Sequence, residues 1–438
     1  MNGSRRLVIG DGRVRLARDR TPWLLFVFVT VVFSLTTQVW DYTIQYRDES
    51  LLETRMHNVE EGSLRRRVLF SAIGVCGLLL LARNGRRNFG LTGAFPWMII
   101  ACVAWAFLSV MWTSDFQLTA RRLISFGMFC LCALGLSKRL SLRNVGLFMF
   151  FLSAIYLAMG IAAEVAHGTF NIFAATHRFS GTQHPNGQGV NCSFLAISGV
   201  FLGDNSRRLR WLFYVLAFVG LLFVVLTKSR TAFAATVCAL VAYKGLVWRT
   251  SKKLAATVAL VVLVFGSIVV LGESAGSFLG KGVLLGRTSG GSHEAINLNG
   301  RVWLWQECRG YAGQHRFIGY GFNGFWTPER IEAISKSQGW TLTTGHSIYV
   351  DLILELGVIG CGGVLLVLLL SARKAVRCYA TTGRLEYAFA FGFLVYYALH
   401  GTLESMFLNP GYVAFMSMLV IGWLGFTVGC EEAETGVG

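Results

Sequence analysis

The sequence predicts an all-α integral membrane protein of about twelve transmembrane helices. Of its 438 residues, 54% are hydrophobic and only 14% are charged, which is unlike a water-soluble domain. Apolar runs recur along the whole chain, and about 20 mostly apolar residues are enough to cross the hydrocarbon core of a bilayer. Lys and Arg gather in the short segments between these runs, as they do in the cytoplasmic loops of membrane proteins. Little length is left for a separate soluble domain.

Apolar runs bounded by charges or turns place the transmembrane helices. The first run follows six arginines but lacks a small-residue cleavage site, so we interpret it as an uncleaved span. The predicted spans are 22-40, 68-82, 95-112, 120-137, 144-164, 187-203, 211-227, 231-248, 254-272, 346-371, 386-402 and 411-428. Short amphipathic helices are expected in the long polar segment 273-345, between the ninth and tenth spans. Residues 1-21 form a basic N-terminal segment, 22-164 a first bundle and 429-438 a tail.

Positive charge in alternate loops predicts the orientation of the chain. With both termini in the cytoplasm, five loops rich in Lys and Arg are cytoplasmic, which agrees with the positive-inside rule. These loops are 83-94, 138-143, 204-210, 249-253 and 372-385. The segment 41-67, which carries three consecutive arginines, fits this orientation less well. The outer face then receives 41-67, 113-119, 165-186, the turn at 228-230, 273-345 and 402-410.

Charge and cysteine content exclude several other classes of function. The formal net charge is +17, but Lys and Arg are not interleaved with aromatic residues, so nucleic-acid binding is not expected. Most of the ten cysteines lie inside apolar runs, where Cys behaves as a small hydrophobic residue. Neither a disulfide framework nor a CxxC metal pair is predicted. The chain also lacks an HExxH motif, so no metal and no cofactor are expected.

Two candidate site segments carry cations beside predicted membrane helices. Arg178 lies in the run 177-186, where Asn186 can cap the following helix, so this run is either a structural turn or part of a site. Lys228 and Arg230 lie between two apolar runs with almost no loop. A charge at the centre of a membrane helix costs on the order of 2.5–3.5 kcal/mol. These two side chains therefore either extend to the lipid headgroups or face a cavity, where they would suit a diphosphate.

Two further candidates lie at the long outer segment. Arg301 falls in the Trp-rich run 298-308, which is either a surface anchor or a support that places Arg301 near lipid-linked phosphates. His346 opens the tenth predicted span and is either a helix cap or a general base, because an ordinary imidazole has a pKa of about 6.5. Asp351 shares a helix face with Glu355, and ionisable residues in membrane helices tend to face a cavity or a partner.

A weaker candidate follows the eleventh predicted span. Glu404 lies in the run His400-Gly401-Thr402-Leu403-Glu404 on the outer face. It could orient His346 or bind sugar hydroxyls, or it could be a polar residue that merely ends a helix.

Taken in order, these segments resemble the O-antigen ligase and polymerase superfamily. The matching elements are His177 to Asn186 with Arg178, Gly181 and Pro185-Asn186, then Ser229-Arg230, Gly300-Arg301 with Trp303, Gly319-Tyr320-Gly321, His346-Ser347-Tyr349 and Glu355-Leu356-Gly357. No single element is specific, but the ordered set is. The resemblance covers roughly 170 to 410. Two departures are Ser347, where the family often has asparagine, and His184, where many members have another residue before Pro-Asn.

The resemblance implies a metal-independent, inverting glycosyltransferase of the C type in the inner (cytoplasmic) membrane. Its catalytic region would be 165-428, with the site facing the periplasm or exterior. The enzyme would transfer a glycan from undecaprenyl diphosphate to an acceptor hydroxyl, as a ligase or polymerase of surface polysaccharide such as lipopolysaccharide. The implied partners are a lipid-linked oligosaccharide or polysaccharide donor, a glycan or lipid acceptor, and membrane lipids.

Carried over by position, the resemblance assigns roles to the candidates. Arg230 and Arg301 would bind the diphosphate, Arg178 would be an auxiliary contact and His346 the base. Lys228 joins the diphosphate-binding set, and the supporting candidates are Glu404, Asn186, Tyr349 and Asp351. One alternative is a multi-span transporter or flippase of an envelope precursor, although no internal repeat is evident. Another is a scaffold, which leaves the outer arginines and histidine unexplained.

Overall fold

The computed structural model describes seven ranges of the chain and a short hairpin. The ranges are 22-45, 63-83, 89-174, 177-248, 300-340, 342-405 and 411-430. The hairpin pairs β1 (Ile9–Gly10) with β2 (Arg13–Val14) in antiparallel register. Apart from this hairpin, the regular structure of the described residues is helical. The all-α class predicted from the sequence is therefore confirmed for this part of the chain.

The helices follow the apolar pattern of the sequence. In chain order they are α1 (Trp23–Thr37), α2 (Tyr42–Gln45), α3 (Leu64–Ala82), α4 (Ala94–Leu108), α5 (Phe116–Arg139), α6 (Leu142–Ala166), α7 (Pro185–Asp204), α8 (Arg210–Leu226), α9 (Arg230–Val247), α10 (Arg301–Gln314), α11 (Pro328–Gln338), α12 (Ile348–Thr382), α13 (Leu385–His400) and α14 (Tyr412–Phe426). A 3-10 turn, Ser109–Met111, extends α4. A polar side chain caps the start of α5, where the Asp115 carboxylate accepts a hydrogen bond from Leu118 N.

Helices lie at eleven of the twelve predicted spans among the described residues, and the predicted span 254-272 lies outside them. Five of the described helices are long and apolar enough to cross a membrane. These are Ala94–Met111, Phe116–Arg139, Leu142–Ala166, Arg230–Val247 and Ile348–Thr382. Three others, α1, α8 and α14, are apolar but shorter. The chain is a multi-pass membrane protein, whereas the number of twelve spans stays a prediction.

Small residues let the helices of the bundle pack closely. On α3, a Cβ atom added to Gly77 would lie 2.5 Å from the backbone of Leu131 and Cys132 on α5. Gly135 of α5 faces the same crossing, where a Cβ atom would lie 2.6 Å from the Gly77 carbonyl oxygen. Close approach of this kind is a main source of helix association in lipid, where burial of apolar surface contributes little.

The segment that precedes α12 forms a separate hydrophobic core with the first turns of that helix, and we call residues 300-340 and 342-345 the loop unit. Helix α10 contributes Leu304 and Cys308 to this core, and α11 contributes Ile331 and Ile334. Leu304 and Cys308 are the residues that α10 buries. Trp303 is 55% exposed. The loop unit is therefore a folded cap on the bundle.

Helix α12 is broken at Gly357, whose φ of 69° lies in the left-handed region. The break leaves carbonyl groups without helical partners. Tyr320 N donates to the Leu354 carbonyl and Gly321 N to the Glu355 carbonyl, both at 2.8 Å. The Gly319-Tyr320-Gly321 segment therefore binds the backbone just before Gly357. The first turns of α12 belong to the loop unit, and the rest of the helix belongs to the bundle.

A disulfide joins Cys378, near the end of α12, to Cys430 after α14. The expectation that the cysteines form no disulfide is wrong for this pair. The pairing depends on the ends of two helices meeting, as Lys374 Nζ also shows by donating to the Thr427 carbonyl. A separation of 52 residues in the sequence does not reveal that contact. The predicted orientation places this end of the bundle in the cytoplasm, where disulfides are rare.

Candidate functional site

Hydrogen bonds connect polar side chains from three separate parts of the sequence. Arg178 Nη2 donates to Asn186 Oδ1 at 2.6 Å, and Asn186 Nδ2 donates to Glu404 Oε1 at 2.7 Å. Arg301 Nη2 donates to the same Glu404 oxygen at 2.9 Å. Glu404 is only 7% exposed. Two arginines that the sequence predicts for the site are therefore linked to one buried carboxylate, Arg301 directly and Arg178 through Asn186, and we call these four residues the arginine–carboxylate cluster.

Arg178 also connects the cluster to the turn between α8 and α9. Its Nε donates to the Thr227 carbonyl at 2.9 Å. Lys228 follows directly, with a φ of 51°, and Arg230 begins α9. Both Lys228 and Arg230 are half-buried. The structure thus brings the predicted cationic turn next to Arg178, while the role of these side chains in binding a diphosphate stays a prediction.

Glu164, at the end of α6, holds the backbone that carries Arg178. This carboxylate is 1% exposed, and its Oε1 accepts from Ser180 N at 2.8 Å and Gly181 N at 2.9 Å. Its Oε2 lies 2.9 Å from His177 Nε2. Glu164 is not among the residues that the sequence predicts for the site. The available signal was that it is the one charged residue in the predicted span 144-164.

Asn186 does not cap α7, contrary to the structural alternative considered from the sequence. The cap is His184, whose Nδ1 lies 3.2 Å from Asn186 N, and Pro185 occupies the first helical position. Pro lacks an N–H group, and the His184 side chain satisfies the N–H group of the next residue, Asn186. The Asn186 side chain is consequently directed to Arg178 and Glu404. His184 therefore caps the helix locally. Its departure from the family pattern does not alter the arginine–carboxylate cluster.

His346 is presented by a turn that buried groups hold in place. Trp305 Nε1 donates to the Gly345 carbonyl at 2.8 Å, and Gly345 N donates to Asp351 Oδ1 at 2.8 Å. Asp351 also accepts from Trp326 Nε1 at 2.9 Å. His346 itself has a φ of 50°, which is uncommon for a residue with a side chain. Asp351 therefore positions the turn that carries His346. Its carboxylate binds groups of the loop unit, as expected for an ionisable residue in a membrane helix that faces a partner.

The electrostatic environment keeps His346 neutral. Burial by the surrounding protein, followed by the positive charge of Arg301, lowers the pKa of His346 to about 3. The imidazole lies beside the Trp340 indole, with 5.2 Å between ring centroids. Burial raises the pKa of Glu404, and the charge of Arg301 opposes that rise. The positive charge of Arg301 therefore acts to lower the pKa of both Glu404 and His346.

Two other candidates make contacts that connect helices. Tyr349 Oη donates to the Ala398 carbonyl at 2.8 Å, which ties α12 to α13. Glu355 is fully buried and its Oε2 lies 3.5 Å from Phe325 N of the loop unit. Of the predicted supporting residues, Asn186 and Glu404 lie in the arginine–carboxylate cluster. Tyr349 instead ties α12 to α13, and Asp351 holds the turn that carries His346.

The fold and the cluster together define a class of protein: a multi-pass helical membrane protein with a folded cap, in which two half-buried arginines are linked to a buried carboxylate and one of them acts electrostatically on a histidine. Residues 215–365 match the family model described as O-Antigen ligase, which is about a third of the chain. This match supports the resemblance to the O-antigen ligase and polymerase superfamily, and it indicates a glycosyltransferase-like role in polysaccharide biosynthesis. None of the curated proteins matches the chain.

The matched region contains Arg230, Arg301 and His346 but ends before Glu404 and begins after Arg178. The cluster described above thus joins residues from inside and outside the match. Across the described ranges, no three His, Cys, Asp or Glu side chains are grouped so that they could hold a metal ion. The metal independence that the resemblance implies stays a prediction.

Proposed function

We propose that this protein transfers a glycan from a polyprenyl (undecaprenyl) diphosphate carrier to an acceptor hydroxyl at the extracytoplasmic face of the inner membrane. It would do so as an O-antigen ligase-like enzyme or as a polysaccharide polymerase. The observation that carries the proposal is the meeting of Arg178, Arg301 and Glu404 beside His346.

Arg301 is suited to hold the leaving group. Its described contact engages one guanidinium nitrogen, and a guanidinium has five N–H donors in a planar fork that matches phosphate oxygens. When the bond between the anomeric carbon and the diphosphate breaks, the electron pair stays on the departing diphosphate. Fixed positive charge in a site largely removed from water stabilises that departure without reorganisation. Arg178, Arg230 and Lys228 would add to this positive field.

His346 is suited to accept a proton. Its lowered pKa keeps the imidazole neutral at physiological pH, so a ring nitrogen can take the proton of the acceptor hydroxyl, but the same shift makes it a weaker base in the free enzyme. The negative charge of a bound diphosphate would offset the charge of Arg301, so the basicity of His346 would rise when the donor binds. Attack by the acceptor oxygen opposite the leaving diphosphate inverts the anomeric carbon.

Purified protein reconstituted with a labelled glycan on undecaprenyl diphosphate tests the proposal. The wild type should release undecaprenyl diphosphate as the label moves to the acceptor. His346→Ala and Arg230→Ala should abolish transfer, while the variants still insert and elute as folded protein. Transfer retained by His346→Ala would remove the proposed base. Solute flux in proteoliposomes without lipid-linked sugar would instead favour a transporter.

Deletion of the protein in its host separates ligase from polymerase, because the two differ in acceptor and not in donor. Shortened surface polysaccharide would indicate a polymerase. Full-length chains that remain unattached would indicate a ligase.

A further inference from the structure

Beside the arginine–carboxylate cluster lies a buried imidazole with an unsatisfied nitrogen. His400 ends α13 and is 3% exposed. Among the described residues, its Nε2 has no hydrogen-bond partner. The ring is stacked on the Tyr396 ring, with centroids 5.3 Å apart and an interplanar angle of 16°. The stack holds the plane of the imidazole, so the orientation of Nε2 is restricted.

The chain around His400 is tied to both parts of the proposed site. The carbonyl of the next residue, Gly401, accepts from Ile348 N at 2.8 Å, and Ile348 lies two residues after His346. Glu404, four residues after His400, accepts from Arg301. His400 is therefore buried on the short segment that joins Glu404 to the backbone next to His346.

An unsatisfied buried nitrogen needs a physical explanation. Leaving such a group without a hydrogen bond costs free energy, and most buried polar groups in folded proteins are paired. A protein tolerates the cost where a ligand or a buried water completes the bond. In the tautomer with hydrogen on Nε2, the imidazole is a donor, and a donor next to a guanidinium favours an anionic oxygen.

We propose that His400 Nε2 donates a hydrogen bond to a phosphoryl oxygen of the donor diphosphate, beside the contact made by Arg301. This inference rests on the proposed function and adds a donor-binding residue to it. His400 would bind the leaving group, while His346 would act on the acceptor.

Direct binding of inorganic pyrophosphate, measured by titration calorimetry on the full-length protein in detergent, tests the inference. His400→Phe keeps a planar ring on Tyr396 but removes the donor. A lost hydrogen bond to a charged group predicts that its Kd rises roughly tenfold to a hundredfold. His400→Gln keeps an N–H donor and should lose less affinity. Pyrophosphate binding by His400→Phe at wild-type affinity would overturn the inference.

His167 provides a matched control, because it also has a buried ring nitrogen without a partner among the described residues. Its ring lies beside Trp40, with 6.5 Å between centroids. His167→Phe should bind pyrophosphate as the wild type does. An equal loss of affinity in this variant would mean that the effect is not specific to the pocket, and would contradict the inference.

The outcomes separate this inference from the proposed function. If the wild type transfers glycan and His400→Phe binds pyrophosphate normally, the inference fails and the proposed function stands. If the wild type neither transfers glycan nor binds pyrophosphate, the proposed function fails. If His400→Phe does not fold, the wild-type structure with pyrophosphate decides: a water on Nε2 in place of the anion would reject the inference.

Discussion

Glu404 shows how a single side chain defines the site. Asn186 and Arg301 donate to the same carboxylate oxygen, and Asn186 passes the contact on to Arg178. Both arginines are thus oriented by one buried anion before any substrate binds. A diphosphate entering the cluster would compete with Glu404 for Arg301. Because burial already raises the pKa of Glu404, a second anion would favour its protonated form.

Arg301→Lys tests whether the geometry of the guanidinium matters beyond its charge. Lysine keeps the positive charge but loses the planar fork, so kcat/KM for the lipid-linked donor should fall roughly tenfold to a hundredfold. Steady-state kinetics of donor turnover measure this loss. Arg309→Lys, at an exposed position on the same helix, is the control and should behave as the wild type. Equal kinetics for the two variants would exclude a bidentate contact.

The pH dependence of transfer tests the electrostatics of His346. A base works when it is deprotonated, and a folded-state pKa of about 3 keeps His346 deprotonated down to acidic pH. The kcat/KM for the donor, which reports the free enzyme, should therefore show no acid limb with a midpoint near 6.5. The acid limb of kcat should lie at higher pH than that of kcat/KM, because the bound diphosphate offsets Arg301. A kcat/KM profile that falls with a midpoint near pH 6.5 would contradict the lowered pKa of His346.

At the scale of elements, the break in α12 joins the loop unit to the bundle. The Gly319-Tyr320-Gly321 segment supplies N–H groups to the carbonyls that the break exposes. Trp105 Nε1 of α4 donates to the Leu356 carbonyl at 3.1 Å. The same break lets the first turns of α12 carry Asp351 into the loop unit. The position of His346 therefore depends on Gly357, although Gly357 touches none of the reactive groups.

Gly357→Ala should destabilise the protein and reduce transfer. A Cβ atom at this position would lie 2.1 Å from the Phe317 carbonyl oxygen, and the left-handed conformation costs about 1–3 kcal/mol for a residue with a side chain. Thermal unfolding in detergent should show a lower Tm. Gly362→Ala is the matched control on the same helix, because a Cβ atom there meets nothing within 4 Å. Its Tm should stay equal or rise, since Ala favours a helix interior over Gly; a Tm loss equal to that of Gly357→Ala would contradict the role given to the break.

At the scale of the whole molecule, the site and the disulfide lie at different ends of α12. The arginine–carboxylate cluster adjoins the first turn of the helix, and Cys378 lies near its last turn. The orientation predicted from the charge of the loops would place the first end at the exterior and the second in the cytoplasm. A disulfide at the second end would be stable only in an oxidising compartment. Orientation therefore determines both where the substrate is met and whether the disulfide forms in the cell.

Alkaline phosphatase fusions test the orientation. A fusion after Gly339, at the end of α11, should be active because the phosphatase works only outside the cytoplasm. A fusion after Gly383, at the end of α12, should be inactive. In cells that show this pattern, Cys378 and Cys430 should react with a thiol reagent. The reverse pattern of fusion activity would place the site in the cytoplasm and remove the proposed reaction at the outer face.

The sequence by itself determined the membrane class, the helices at eleven predicted positions among the described residues, and the segments that carry Arg178, Arg301 and His346. These features depend on local composition, because an apolar run of sufficient length forms a helix in lipid wherever it occurs. Only the tertiary structure decided that Glu404 meets Arg301, that Gly357 breaks α12 and that Cys378 pairs with Cys430. Each of these contacts joins residues far apart in the chain or interrupts a uniform apolar run. They depend on how the helices pack, which local composition does not specify.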